Sequence, residues 1–153
     1  MNGETFTLDT NILVYSVDLT AGTRHETARQ IMHRAALASC RLTLQAVSEF
    51  YAVATRKGMM PPLEAANFAS AAIDLFRAVP ASAGAVRAAL ATAASGRASY
   101  WDALLIHTAA EAGCTAILTE DLSDGSALAG VRIINPFAGG ALSAAADALL
   151  TAD

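Results

Sequence analysis

The spacing of apolar residues along this chain changes period several times, passing from short apolar runs to i, i+3, i+4 patterns and back. Phe6, Thr7 and Leu8 form a short strand-like run, and Asp9, Thr10 and Asn11 behind it favour caps and turns before Ile12, Leu13 and Tyr15 resume. Asp9 is therefore expected at a strand's carboxyl end. "TRHETARQIMHRAALAS" sets Ile31, Met32, Ala35 and Ala36 at helical intervals behind Thr23 and Glu26, which have capping-box spacing. "RLTLQ" reads as a short strand, and "AVSEFYAVATRKG" as a helix closed by Gly58 with Glu49 in its first turn. "PPLEAANFASAAIDLF" opens on prolines suited to a helix start, "RAVP" suits a short strand, and "SAGAVRAALATAAS" is a helix ended by Gly96. "SYWDALLIHTAAEAG" has Ser99 as its cap, Asp102 three residues on, and Gly113 as its stop. "CTAILTEDL" and "VRIINPF" complete the pattern as strands.

Strands that alternate with helices predict an α/β domain with a mostly parallel sheet covered on both faces, and ligands in such sheets bind at the carboxyl ends of the strands. A length of 153 residues suits one such domain. The Ala/Gly-rich stretch 138–153 lies beyond the last expected strand, as a loose helix or a dimer element.

Charge narrows the choice of partner. A net charge of -4 and a pI near 5.2 argue against broad, non-specific attraction to nucleic acid, but they leave room for a local basic rim. Lys57 is the only lysine, and arginine supplies the other cations with a planar fork that suits phosphate. Cys40 and Cys114 have no metal-ligand spacing and read as reduced, buried thiols. No leader-like segment opens the chain and no long apolar run interrupts it, so a soluble cytoplasmic protein is expected.

The chemistry rests on four carboxylates in comparable places: Asp9 and Asp121 after strands, Glu49 and Asp102 near helix starts. Glu49 or Asp102 alone could simply complement a helix dipole. Asp9 is different, because a carboxylate directly behind a buried strand is costly unless it is paired or bound to a cation. Together the four favour a metal site, and an oxygen-only donor set suits Mg²⁺ or Mn²⁺ rather than Zn²⁺. Phosphoryl transfer is the expected chemistry. A haloacid-dehalogenase-type phosphatase would need an aspartate where Asn11 stands, and a receiver domain would need a late lysine that this chain lacks.

"LDTNILVYSVD", "SEFYAVATRKG", "SYWDALLIHTAAEAGC", "ILTEDLSDG" and "RIINPF" resemble, in order and spacing, the PIN domain, most closely the ribonuclease toxins of bacterial VapBC toxin-antitoxin modules. The resemblance implies a PIN-like three-layer α/β/α sandwich over residues 1–137, with 138–153 as an extension. It implies a Mg²⁺-dependent endoribonuclease, selective for single strands, that leaves 5′-phosphate and 3′-hydroxyl ends, with Mn²⁺ able to substitute. Asp9 would be the central metal ligand, Glu49 and Asp102 further ligands or positioners of water, and Asp121 the fourth acid. Thr10, Asn11 and Thr119 would fix these carboxylates. A VapB-type antitoxin would block the groove, and the protein would form a homodimer. The alternative is a catalytically weak PIN-like module that binds RNA or a partner.

Around the acids, Arg24, Arg56, Lys57 and Arg97 are candidate RNA phosphate contacts, whereas Arg29, Arg34, Arg77 and Arg87 read as exposed helix charges. Tyr100 and Trp101 read as core residues ahead of base-stacking ones. His107 reads as a satisfied core or interface histidine, Asp124 as a turn residue, and Glu120 as part of a solvated face.

Overall fold

The computed structural model describes residues 3–151; Ala152 and Asp153, the end of the expected extension, lie outside the described residues. Strand β1 (Phe6–Leu8) is wholly buried and runs into α1 (Thr10–Val17), with Asp9 as the N-cap between them. Helices α2 (Thr23–Ala35), α3 (Leu44–Arg56), α4 (Pro62–Leu75), α5 (Ala83–Ala94) and α6 (Tyr100–Glu111) come next, before the chain returns to the sheet. Strand β2 (Ala116–Leu118) is succeeded by β3 (Ala127–Leu128) and β4 (Val131–Ile134), then by a hairpin of β5 (Phe137–Ala138) and β6 (Ala141–Leu142), and last by α7 (Ala144–Thr151).

The sheet order is β1-β2-β4-β3, with the first three strands parallel and β3 an antiparallel edge. Side chains alternate across it, as strand geometry requires. Phe6, Leu8, Ala116, Leu118 and Ile134 pack into one cluster with α1, α2, α3, α4 and α7. Ile117, Val131 and Ile133 face the other way, toward Leu105 and Ile106 of α6. Helices on both faces explain why these strands are almost continuously apolar and give the α/β/α sandwich.

Several local expectations change. The capping box at Thr23 is not made: α2 starts at Thr23 itself, and its N-cap is Gly22, in a positive-φ conformation that glycine adopts without strain. "RLTLQ" is not a strand. Cys40 and Thr43 make only single bridges, to Phe6 and Val79, because the Thr43 hydroxyl accepts from Ala46 N–H at 3.1 Å and starts α3 at Leu44. Glu49 is thereby moved out of the first turn, which holds no acid, so helix-dipole capping does not account for it. The stretch after Asp9 is helical from Thr10.

Residues 138–151 form the hairpin's second half and α7, whose Ala146, Leu149 and Leu150 are buried in the same cluster as β1. Arg34 holds this end down and is not a free helix charge. It donates to the Asp147 carboxylate at 2.7 Å and to the Thr151 hydroxyl at 2.6 Å. Cys40 and Cys114 are buried free thiols, as expected. Among the described residues, no helix is long and apolar enough to cross a membrane.

Phe50 of α3 is fully buried and lies 4.7 Å, centroid to centroid, from Phe68 of α4. Phe50→Ala is expected to lower unfolding free energy by about 3–5 kcal/mol in urea titrations, with the slope unchanged. A loss below ~1 kcal/mol would mean that this contact does not anchor α3.

Candidate acidic site at the carboxyl edge of the sheet

Parallel register builds this site. Leu8 pairs with Leu118 and Leu118 with Ile134, so the next residues along, Asp9, Thr119 and Asn135, emerge at one level. Two ladder bonds extend the pairing by a step, from Asp9 N–H to Leu118 O and from Thr119 N–H to Ile134 O, both at 3.0 Å. The backbone at Asp9 is extended, and its carboxylate turns back to cap α1. Oδ1 accepts from Thr10 N–H and Oδ2 from the Thr119 hydroxyl, each at 2.7 Å.

The neighbouring acids are held by neutral donors as well. Thr10, itself buried, donates its hydroxyl to Glu49 Oε2 at 2.9 Å, and Gln45 Nε2 donates to Glu49 Oε1 at 2.9 Å. Gln45 also reaches Trp101 O at 2.9 Å, which ties α3 to the first turn of α6. Asn11 Nδ2 donates to Asp121 Oδ2 at 2.6 Å, and Asp121 N–H donates to Thr119 Oγ1 at 3.2 Å. Asp102 stands third in α6, where its N–H is capped by Ser99.

Burial pushes the Asp9 carboxyl up from 3.8 to about 6, against hydrogen bonds from Thr119 and Thr10 that lower it; the Asp121 and Asp102 charges raise it further. Asp121 is raised too, first by desolvation and then by the charges of Glu120 and Asp102, against hydrogen bonding to Asp9 and Asn11. The ion pairs among the described residues are Arg24–Glu120, His25–Glu26, Arg34–Asp147 and Arg132–Glu4, so none of the four candidate acids has a basic partner. Crowded carboxylates held by neutral donors fit a hard divalent cation. Asp9, Asp102 and Asp121 are close enough to influence one another and Glu49 joins through Thr10. Even so, among the described residues no three acidic, histidine or cysteine side chains already stand at ligating distance.

The basic candidates separate. Arg24 donates Nε to Glu120 Oε2 at 3.0 Å and lies 5.4 Å from the centre of the Phe137 ring. Glu120 also accepts from the Tyr15 hydroxyl, and its side chain is only 15% exposed. It is therefore no solvated face, and Arg24 is largely committed to it. Arg97 is exposed and shares a cleft with Leu122 and Ser123, next to the Asp121 loop. Arg56 and Lys57 stand at the far end of α3, where Lys57 shares a cleft with Asp18. Eight residues of helix put Lys57 roughly 12 Å along the axis from Glu49.

Trp101, in the first turn of α6, is 62% exposed, contrary to the core reading, while Tyr100 beside it is partly buried. His107 meets the Thr92 hydroxyl at 2.9 Å, as expected of a satisfied histidine. Asp124 accepts from Asn135 N–H at 2.9 Å and so shapes its loop. Gln45 and Tyr15 escaped the sequence reading. The i, i+4 spacing of Gln45 and Glu49 becomes a signal only once residues 44–56 are taken as helix.

Residues 6–123 match the family described as the PIN domain. No curated protein matches the chain at a significant level.

Because the folded-state value for Asp9 is raised, ionising this carboxyl opposes folding. The relative stability it contributes is complete below about 3.8 and is lost as pH rises through about 6. In EDTA, wild type is expected to melt lower at neutral pH than at pH 5, and Asp9→Asn should flatten that dependence and melt higher at neutral pH. Identical pH profiles for the two proteins would refute a raised Asp9.

Proposed function

We propose, from the premise that this chain belongs to the PIN domain family, that it is a Mg²⁺-dependent endoribonuclease and the toxin of a VapBC toxin-antitoxin module. PIN domains are typically nucleases. The observation that carries the reading is the set of uncompensated carboxylates at the carboxyl edge, centred on an Asp9 whose carboxyl is pushed up to about 6. In this reading Asp9, Glu49, Asp102 and Asp121 hold the ion. A bound Mg²⁺, or Mn²⁺ in its place, would offset charge on a scissile phosphate and lower the pKa of an attacking water.

The chain's own residues do the positioning. Thr119 and the Thr10 amide each occupy one lone pair on a different Asp9 oxygen, so each oxygen keeps acceptor capacity. Asn11 orients Asp121, and Thr10 with Gln45 orients Glu49. Each donor favours the ionised carboxylate, the form that ligates a cation. Arg97, beside the Asp121 loop, is the basic candidate best placed for a flanking phosphate, and exposed Trp101 offers a face on which an unstacked base would lie. Arg24 contributes only through donors that Glu120 leaves free, and Arg56 and Lys57 would meet RNA further from the acids.

The reading extends to a homodimer in the cytoplasm and to a VapB-type antitoxin. A basic segment of such a partner would complement the acidic edge and suppress cleavage.

The test compares wild type, Asp9→Ala and Asp102→Ala on total tRNA and rRNA with Mg²⁺ and with EDTA. Cleavage is expected only from wild type with metal, with a loss on the order of 10²-fold or more in each variant. Thr119→Val should retain cleavage while raising the Mg²⁺ concentration for half-maximal rate by roughly 10–100-fold. Binding of RNA by wild type without any cleavage would establish the alternative, a catalytically weak binding module.

A further inference from the structure

The end of α4 breaks a rule of helix termination. In a Schellman motif the residue after the C-cap is left-handed, and glycine is its usual occupant because a Cβ is strained there. α4 makes this motif: Ala78 N–H donates to Ile73 O at 3.0 Å and Arg77 N–H to Asp74 O at 3.5 Å. The left-handed residue is Arg77, at φ +48°. Helices α3, α5 and α6 are followed by Gly58, Gly96 and Gly113 at positive φ, so the chain uses glycine for this turn elsewhere. A strained residue that stands where glycine would cost less points to a use for its side chain.

Arg77 lines a cleft of about 550 Å³ with Arg41, Thr5, Ser39, Leu75 and Ala112. Thr5 precedes β1, so this cleft lies at the amino edge of the sheet, opposite the acids. Arg41 Nη2 donates to Arg77 O at 3.2 Å, while its Nε is buried without a hydrogen-bond partner. Among the described residues neither arginine forms an ion pair. Of the acids next in sequence to the cleft residues, Glu4 is taken by Arg132 and Thr115 and Glu111 by Ser82, while Asp74, beside Leu75, is exposed on the surface of α4 and pairs with neither arginine. Two arginines on one cleft, neither of them ion-paired, offer forks that match phosphate oxygens, and an anion bound there would offset their charge. The Thr5 and Ser39 hydroxyls, 2.9 Å apart, add polar groups, and Leu75, 60% exposed, supplies an apolar wall. The volume falls within the range of small-molecule sites.

We propose that this cleft binds a 5′-mononucleotide, its phosphate held by Arg41 and Arg77 and its base and sugar against Leu75 and Ala112. The site does not depend on the nuclease reading, since it shares no residue with the acidic edge.

The experiment is calorimetric titration of the full chain in EDTA, which prevents metal-bridged phosphate binding at the acids, with 5′-AMP, inorganic phosphate and adenosine. Saturable binding of 5′-AMP, weaker binding of phosphate and none of adenosine are expected. Arg77→Gly, which suits the left-handed backbone, should melt no lower than wild type yet bind 5′-AMP about tenfold more weakly or worse. Arg41→Gln should weaken binding to a similar degree, and Asp9→Asn should leave it unchanged. Displacement of 5′-AMP by a 5′-phosphorylated oligoribonucleotide, with the same dependence on Arg41 and Arg77, would make an RNA end the source of the phosphate and keep the site. No binding to wild type, equal binding of adenosine, or undiminished binding by Arg77→Gly would overturn the proposal.

Discussion

The contact on which the acidic edge depends is the hydrogen bond from the Thr119 hydroxyl to Asp9 Oδ2. It exists because β1 and β2 are parallel and paired Leu8 to Leu118, so the residue after each strand emerges beside the other. A slip of one residue would turn Leu8 and Leu118 to the opposite face and separate Asp9 from Thr119. The strand register that packs the core therefore also places Asp9 beside Thr119.

Once Asp9 is fixed, its neighbours are placed through neutral donors. Thr10 carries the connection to Glu49, Gln45 extends it to the start of α6, and Asn11 reaches Asp121. Carboxylates supported in this way retain their negative charge without neutralisation, which leaves the site energetically incomplete until a cation or a proton arrives. The elevated Asp9 carboxyl expresses that incompleteness.

The arginines show how little a composition-level view says about use. Arg34 clamps α7, Arg24 is paired with Glu120 under an aromatic pair, and Arg132 is paired with Glu4. Arg41 and Arg77 line a cleft at the amino edge, whereas Arg97 stands beside the Asp121 loop at the carboxyl edge. A net charge of -4 says nothing of these placements.

The order of residues settles whatever depends on near neighbours along the chain. The strand ending at Asp9, the cap and helix at Ser99, the buried thiols, and the separation of two buried faces are local propensity and period, and they are legible in the sequence. The same holds for the positions of Asp9, Asp102 and Asp121 at strand or helix boundaries. The remaining features depend on groups far apart in sequence, and the fold had to bring those groups together before they existed. Thr43, whose backbone bridges to the distant Val79 and whose hydroxyl accepts from Ala46 N–H, stands at a helix start in place of an expected strand, and Glu49 shifts out of the first turn. Tyr15 and Arg24 removed Glu120 from solvent, α7 engaged Arg34, and Trp101 found no partner among the described residues to cover it. Each outcome is a choice between water and a distant partner, and an amphipathic pattern records only that a side chain can make that choice, not which partner the fold brings to it.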